Sequence, residues 1–173
     1  MHGVILKGLK DHVTETHGSD AWSRVLDDAD VEPKLYLPVT TYPTDEWVEL
    51  LETTVAVVET DRETLLTAVG ERVGPALLDT FRTHVRPEWS VLDAITNLDS
   101  LFARLNEDEP SSQLEVSTEQ VEGGVDVRYR SGREEYALIE GLLSGIAAEY
   151  DEPISVTEQE ADVADCRYLV EPA

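Results

Sequence analysis

The chain has 173 residues, enough for one domain with a well-buried core and too few for two of ordinary size. Asp and Glu number 37 against 13 Lys and Arg, so the formal net charge is -24, spread over the whole length rather than gathered in a tail. Charge of that sign repels phosphate backbones and anionic lipid headgroups, and neither nucleic acid nor a membrane surface is expected as a partner.

Val4, Ile5, Leu6, Leu9 and Val13 share one face of a first helix, and Ala21, Trp22, Val25 and Leu26 mark a second, shorter one beyond Gly18-Ser19-Asp20. Pro33, Pro38 and Pro43 then impose an extended crossing loop. Trp47, Leu50, Leu51, Thr54, Val55 and Val58 are spaced for a buried helical face; Thr44 reads as its N-cap, without a capping box because Trp47 stands where the glutamate would be. The next helix carries Leu65, Leu66, Val69, Val73, Leu77 and Leu78, and Gly74-Pro75 is expected to kink or interrupt it. The clearest stripe is Val91, Ile95, Leu98, Phe102 and Leu105, alternately four and three residues apart, which turns Phe102 inward.

After Pro110 the period changes to two, in Leu114 to Ser117 and in Val125 to Tyr129 beyond Gly123-Gly124, predicting a hairpin. Glu134 to Tyr150 returns to helix, with Ile139, Leu142, Leu143 and Ile146 on one stripe. Ile154 to Thr157 and Cys166 to Val170 read as two closing strands, with Cys166 a small buried core residue. Helices followed by strands and one helix predict a single α+β domain over residues 1–173. It has a mainly helical half over 1–108 and a half over 109–173, where an antiparallel sheet is covered on one face.

The acidity does not imply disorder, because 41% of the chain is hydrophobic and arranged with clear periods. Lys7, Lys10 and Lys34 are the only lysines beside ten arginines, and the expected picture is a normal core under a carboxylate shell, suited to concentrated salt. One cysteine permits no intrachain disulfide and no thiolate-built zinc or iron-sulfur site. No run approaches the ~20 apolar residues of a membrane helix, and the amino terminus has too short an apolar run for a signal peptide, so a cytoplasmic setting is expected.

Where the second strand gives way to the long helix, Tyr129-Arg130-Ser131-Gly132-Arg133 reads Tyr-x-Ser-x-Arg. Alternation puts Tyr129, Ser131 and Arg133 on one side, where two hydroxyls and a guanidinium fork could hold one or two carboxylates. Alone the motif is short, and an arginine paired with any of the acidic residues is the plainer reading.

With its surroundings the motif says more. The chain resembles the haem-nitric oxide/oxygen binding (H-NOX) family over nearly its whole length. The match runs from Met1-x-Gly3 through Pro33, Ala68-Val69-Gly70, the Tyr-x-Ser-x-Arg signature and Glu140-Gly141-Leu142-Leu143-Ser144-Gly145 to Asp165-Cys166. The resemblance implies that Tyr129, Ser131 and Arg133 hold haem propionates and that Ile5, Leu9, Val73, Leu77 and Leu142 form an apolar distal wall. Leu138 falls at the position where some members place an oxygen-binding tyrosine. With no hydrogen-bond donor on that wall, nitric oxide or carbon monoxide would be the favoured gas for any haem b bound there. The departure is at Leu98-Asp99-Ser100-Leu101-Phe102: Phe102 stands where the family carries its iron-binding histidine, and phenylalanine has no lone pair for iron. The family's haem-distorting proline falls near Glu115.

His84, in a polar turn, is the alternative ligand should the register differ, while His2, His12 and His17 read as surface histidines on the distal or solvent side of the first helix region. Two functions follow. In one the chain is a sensory domain that takes haem or another anionic apolar ligand. It would signal to a separate histidine kinase, nucleotide cyclase or chemotaxis transducer, the partners the resemblance implies. In the other it is a ligand-free protein-binding adaptor. No Ser/His/Asp or paired-carboxylate arrangement points to an enzyme.

Overall fold

The computed structural model describes residues 1–107, 114–132, 135–161 and 166–173. The helices are α1 (Gly3–His17), α2 (Ser19–Asp28), α3 (Thr44–Val58), α4 (Arg62–Thr80), α5 (Val91–Thr96), α6 (Leu98–Leu105) and α7 (Tyr136–Tyr150). The strands are β1 (Glu115–Val121), β2 (Gly124–Arg130), β3 (Ile154–Gln159) and β4 (Cys166–Pro172). Helices come first and an antiparallel sheet last, in the α+β order the changing periods predict.

Helix ends follow local chemistry. α1 has no side-chain cap; the proline-bearing loop replaces it, with the Gly3 and Val4 amides donating to the carbonyls of Thr40 (2.8 Å) and Pro38 (3.1 Å). The Asp61 side chain caps α4 by accepting from the Thr64 amide, and Ser90 with Asp93 forms a complete capping box on α5. Two local expectations are corrected. Thr44 is the first helical residue of α3, whose N-cap is Pro43 without a side-chain bond. The stripe from Val91 to Leu105 is split between two helices at Asn97, whose Nδ2 donates to the Asp93 carbonyl at 2.8 Å, a side chain competing with the helical ladder. Both pieces keep their apolar positions inside, and Phe102 is 2% exposed.

α4 runs unbroken through Pro75, so the expected kink or interruption is not an interruption. Proline cannot donate to the carbonyl four residues back, that of Glu71, and α7 closes over that carbonyl: a Cβ on Gly145 would lie 2.3 Å from it. Gly70 and Gly74 on α4 face Gly141 and Gly145 on α7 in the same sense, so the two helices run parallel with their backbones in contact.

The sheet has the order β1-β2-β4-β3, antiparallel throughout. Its covered face presents Val116, Val125, Val127, Tyr129, Cys166, Tyr168 and Val170, all buried, and α5 and α6 pack against it. The other face carries Asp126, Arg128 and Arg167, with Asp126 Oδ2 accepting from Arg167 Nε at 2.7 Å. Apolar residues from every helix and from β1, β2 and β4 join one contiguous core. No helix among the described residues is long and apolar enough to cross a membrane.

Candidate functional site

Tyr129 lies on the inward side of β2, between Val116 of β1 and Cys166 of β4, and is fully buried. Two residues on, Ser131 is 1% exposed, while Arg130 between them is exposed. Tyr129 and Ser131 are thus both enclosed while Arg130 between them faces out. Gly132 follows at φ 67, the left-handed region that glycine tolerates, and lets the chain turn toward α7. Arg133 lies outside the described residues, as do residues 134, 108–113 and 162–165.

A cleft of about 460 Å³ separates α6 from the β1–β2 hairpin, and Phe102, Asn106, Val116, Tyr129 and Arg130 are among its walls. It joins Phe102 to Tyr129, two residues that the sequence places far apart. The six remaining candidates, Ile5, Leu9, Val73, Leu77, Leu138 and Leu142, do not line it. All six are buried on α1, α4 and α7. α1 meets α4 where a Cβ on Gly8 would touch Val73 at 2.9 Å, and α4 meets α7 where one on Gly74 would lie 2.4 Å from the Leu142 carbonyl. The structure thus gathers them as the shared core of three helices.

The histidines divide differently from expectation. His84 sits in an exposed turn and His17 is exposed. His12 is half-buried, with its pKa lowered by burial and then by Arg72 and His17. His2 is fully buried, which corrects its reading as a surface residue: its Nε2 lies 2.8 Å from Oδ1 of Asn106, in the turn that ends α6. Asn106 Nδ2 in turn donates to the Leu114 carbonyl at 3.3 Å. Nothing in the sequence marks this bond, since its partners are 104 positions apart and neither stands in a periodic pattern.

A second missed residue is Glu135, the N-cap of α7. It makes no side-chain cap and is fully buried, with its Oε1 accepting from Trp47 Nε1 on α3 at 2.8 Å. Farther along the sheet, burial and the carboxylate of Glu140 hold the Tyr168 phenol well above its ordinary pKa, so it stays a neutral hydroxyl.

These residues do not fit a histidine-ligated haem. Phe102 has no electron pair to give, and the His2 nitrogen that reaches the α6 segment is committed to Asn106. Among the described residues no group of three or more His, Cys, Asp or Glu could hold a metal ion. The buried hydroxyls of Tyr129 and Ser131 do suit a carboxylate.

A family model for haem-NO-binding (HNOB) proteins matches residues 2–158. No curated protein matches the chain by sequence. Among solved structures, it is similar to F78L Tt H-NOX, at 18% identity and TM-score 0.85, covering 100% of this chain and 97% of that one. It is also similar to an H-NOX protein from S. oneidensis in the Fe(II)NO ligation state, at 17% identity and TM-score 0.83, covering 100% and 99%. A third is an oxygen-binding H-NOX domain related to soluble guanylate cyclases, in its oxygen complex, at 19% identity and TM-score 0.83, covering 98% and 93%. Identities this low speak for a shared fold.

Proposed function

The chain belongs to the haem-NO-binding family, and from that premise we propose that it is a sensory domain whose ligand is an apolar carboxylic acid, held without a bond between protein and iron. The carboxylate end of the site is Tyr129, Ser131 and Arg133. The observation that carries this reading is the complete burial of two hydroxyl-bearing side chains, Tyr129 and Ser131, where a strand gives way to a helix. A phenol and an aliphatic hydroxyl are both groups that can donate to a carboxylate. Haem is one such acid, gripped by its propionates alone, and other amphipathic acids meet the same requirement. Phe102 sits on α6 beside Tyr129, so a ligand entering at the cleft would press on that helix. We propose that a separate signalling protein, a histidine kinase, nucleotide cyclase or chemotaxis transducer, reads the response, and that one domain spans residues 1–173.

One observation favours a second reading, a protein-binding adaptor without ligand. α4 and α7 are in backbone contact at Gly70, Gly74, Gly141 and Gly145, and the six apolar residues are buried in one continuous core. Mass and absorption spectra of protein purified without added cofactor separate the two. A bound acid that disappears in Arg133→Ala and Ser131→Ala supports the sensor; a bare mass in all three proteins, with only stability altered, establishes the adaptor. A sharp ligated Soret band in the native protein would overturn the absence of an iron ligand.

A further inference from the structure

A second cavity, of about 380 Å³, opens where the turn after α4 meets the last turn of α7, and it shares no lining residue with the cleft beside Phe102. Small-molecule sites run from about 300 to 1,000 Å³, so the space suits a small ligand. Leu78, which is buried, and the half-buried Val85 and Tyr150 give it apolar and aromatic walls.

Its charges come in both signs. Arg82 and Arg86 reach it from the turn, Asp79 from the end of α4 and Glu149 from the end of α7. Helix stability does not call for the two acids, since each stands in a last turn that holds no basic residue, at the negative end of the helix dipole. Arg86 is exposed and makes no ion pair among the described residues, in a chain with 37 acids. Arg82 and Asp79 stand side by side without closing on each other: Nη1 and Oδ1 are 3.9 Å apart, against about 2.7–2.9 Å for a closed charge-assisted bond, and the side chains are 80% and 81% exposed. Opposite charges held adjacent in this way match a ligand head group that carries both.

The field of the whole molecule narrows the class of ligand. A net charge of -24 repels a free anion and attracts every small cation without discrimination. A molecule with both charges and no net one avoids that bias. We propose that this pocket binds an apolar α-amino acid as its zwitterion. The carboxylate meets Arg82 and Arg86, the ammonium meets Asp79 and Glu149 at the two helix ends, and the side chain lies against Leu78, Val85 and Tyr150. The site is separate from the junction of β2 and α7 and does not depend on the ligand proposed there.

Leucine and phenylalanine are the probes, added to the full chain at about 0.1 M NaCl, where the charges still act over about 10 Å. Each is compared with the analogue that keeps only its acid, isocaproate or hydrocinnamate, and with the one that keeps only its amine, isoamylamine or phenethylamine. Binding is followed by the amide resonances of Val85 and Tyr150 and by the fluorescence of Trp89, a half-buried residue whose amide donates to the Arg86 carbonyl at 3.1 Å. At least one amino acid should move these signals, with both of its single-charge analogues weaker by about tenfold or more. Arg86→Gln and Asp79→Asn, at exposed positions where substitution leaves the fold intact, should each weaken that amino acid by about tenfold. Signals unmoved by both amino acids at about 10 mM overturn the site. An analogue that binds as tightly as its amino acid reduces it to a simple ion site and overturns the zwitterion, as does undiminished binding in both variants.

Discussion

His2 and Leu114 occupy the two ends of one short structural link, joined by Asn106 at the end of the helix that carries Phe102. His2 holds the turn after α6 through Asn106, and Asn106 holds the start of β1 through the Leu114 carbonyl. Replacing His2 by Ala leaves the half-buried Asn106 amide short of a partner and removes a fully buried ring from the core, which should lower stability by about 1–3 kcal/mol. For a chain of this length that is about 2–4 °C in Tm per kcal/mol, readable in a thermal melt followed by circular dichroism. An unchanged Tm would show that the bond contributes nothing net. Phe102→His makes the complementary change. Without metal the imidazole is a polar group placed in an apolar slot, so the variant should melt below the native protein. Hemin should then raise its Tm and give a sharp ligated Soret band that the native protein lacks, because a ligand binding only the folded state stabilises it. A variant that hemin neither stabilises nor colours would remove Phe102 from the haem-facing position. The burial of Phe102 is readable from the spacing of its neighbours alone. That of His2 is not, because its cause is one bond to a residue 104 positions away.

The pairing of α4 with α7 shows how far patterns within a segment reach. Each helix can be read from its apolar stripe, and so can the hairpin from its period of two. The parallel contact between the helices depends on glycines matched across separate segments, which neither helix shows by itself. Gly141 is the tightest of them, since a Cβ there would lie 2.1 Å from the Thr67 carbonyl, a backbone atom with no side-chain freedom to yield. Gly141→Ala should therefore force the helices apart and destabilise by about 1–3 kcal/mol, while Ser144→Ala, exposed on the same helix, should stay within about 0.5 kcal/mol of native. Equal melting temperatures for the two variants would mean that the helices can separate freely. α4 continues through Pro75 although the Glu71 carbonyl loses its helical donor there, and that carbonyl faces Gly145 of α7. Gly74-Pro75 read within one segment predicts a kink or an interruption, and the helix is not interrupted.

Across the molecule the dominant quantity is the net charge of -24. Carboxylates spread over a compact body repel one another, and the unfolded chain relieves that repulsion by expanding. Salt shortens the range of the repulsion, from about 10 Å at 0.1 M to about 3 Å at 1 M, so the Tm should rise steeply as NaCl is added. Acid acts through two opposed effects. Partial neutralisation of surface carboxylates relieves repulsion, which stabilises. Against this, Asp61 and Asp93 are held below the ordinary aspartate value of 3.8 by their capping bonds. Their contribution is complete above that value and is lost as pH falls through the lower folded values. His12, held below 6.5 mainly by burial, likewise favours the folded state above 6.5 and loses that advantage as pH falls toward its folded value. The repulsive contribution depends on salt, and the short-range capping bonds depend on it far less. At low salt, lowering the pH from about 7 to about 5 should therefore raise the Tm, because relief of repulsion outweighs the loss at His12. In molar NaCl the same change should leave the Tm level or lower it. Below about pH 4 both series should fall as the caps protonate. A Tm that falls on mild acidification at low salt as it does at high salt would mean that the carboxylate shell does not govern stability and that the local bonds of His12, Asp61 and Asp93 do.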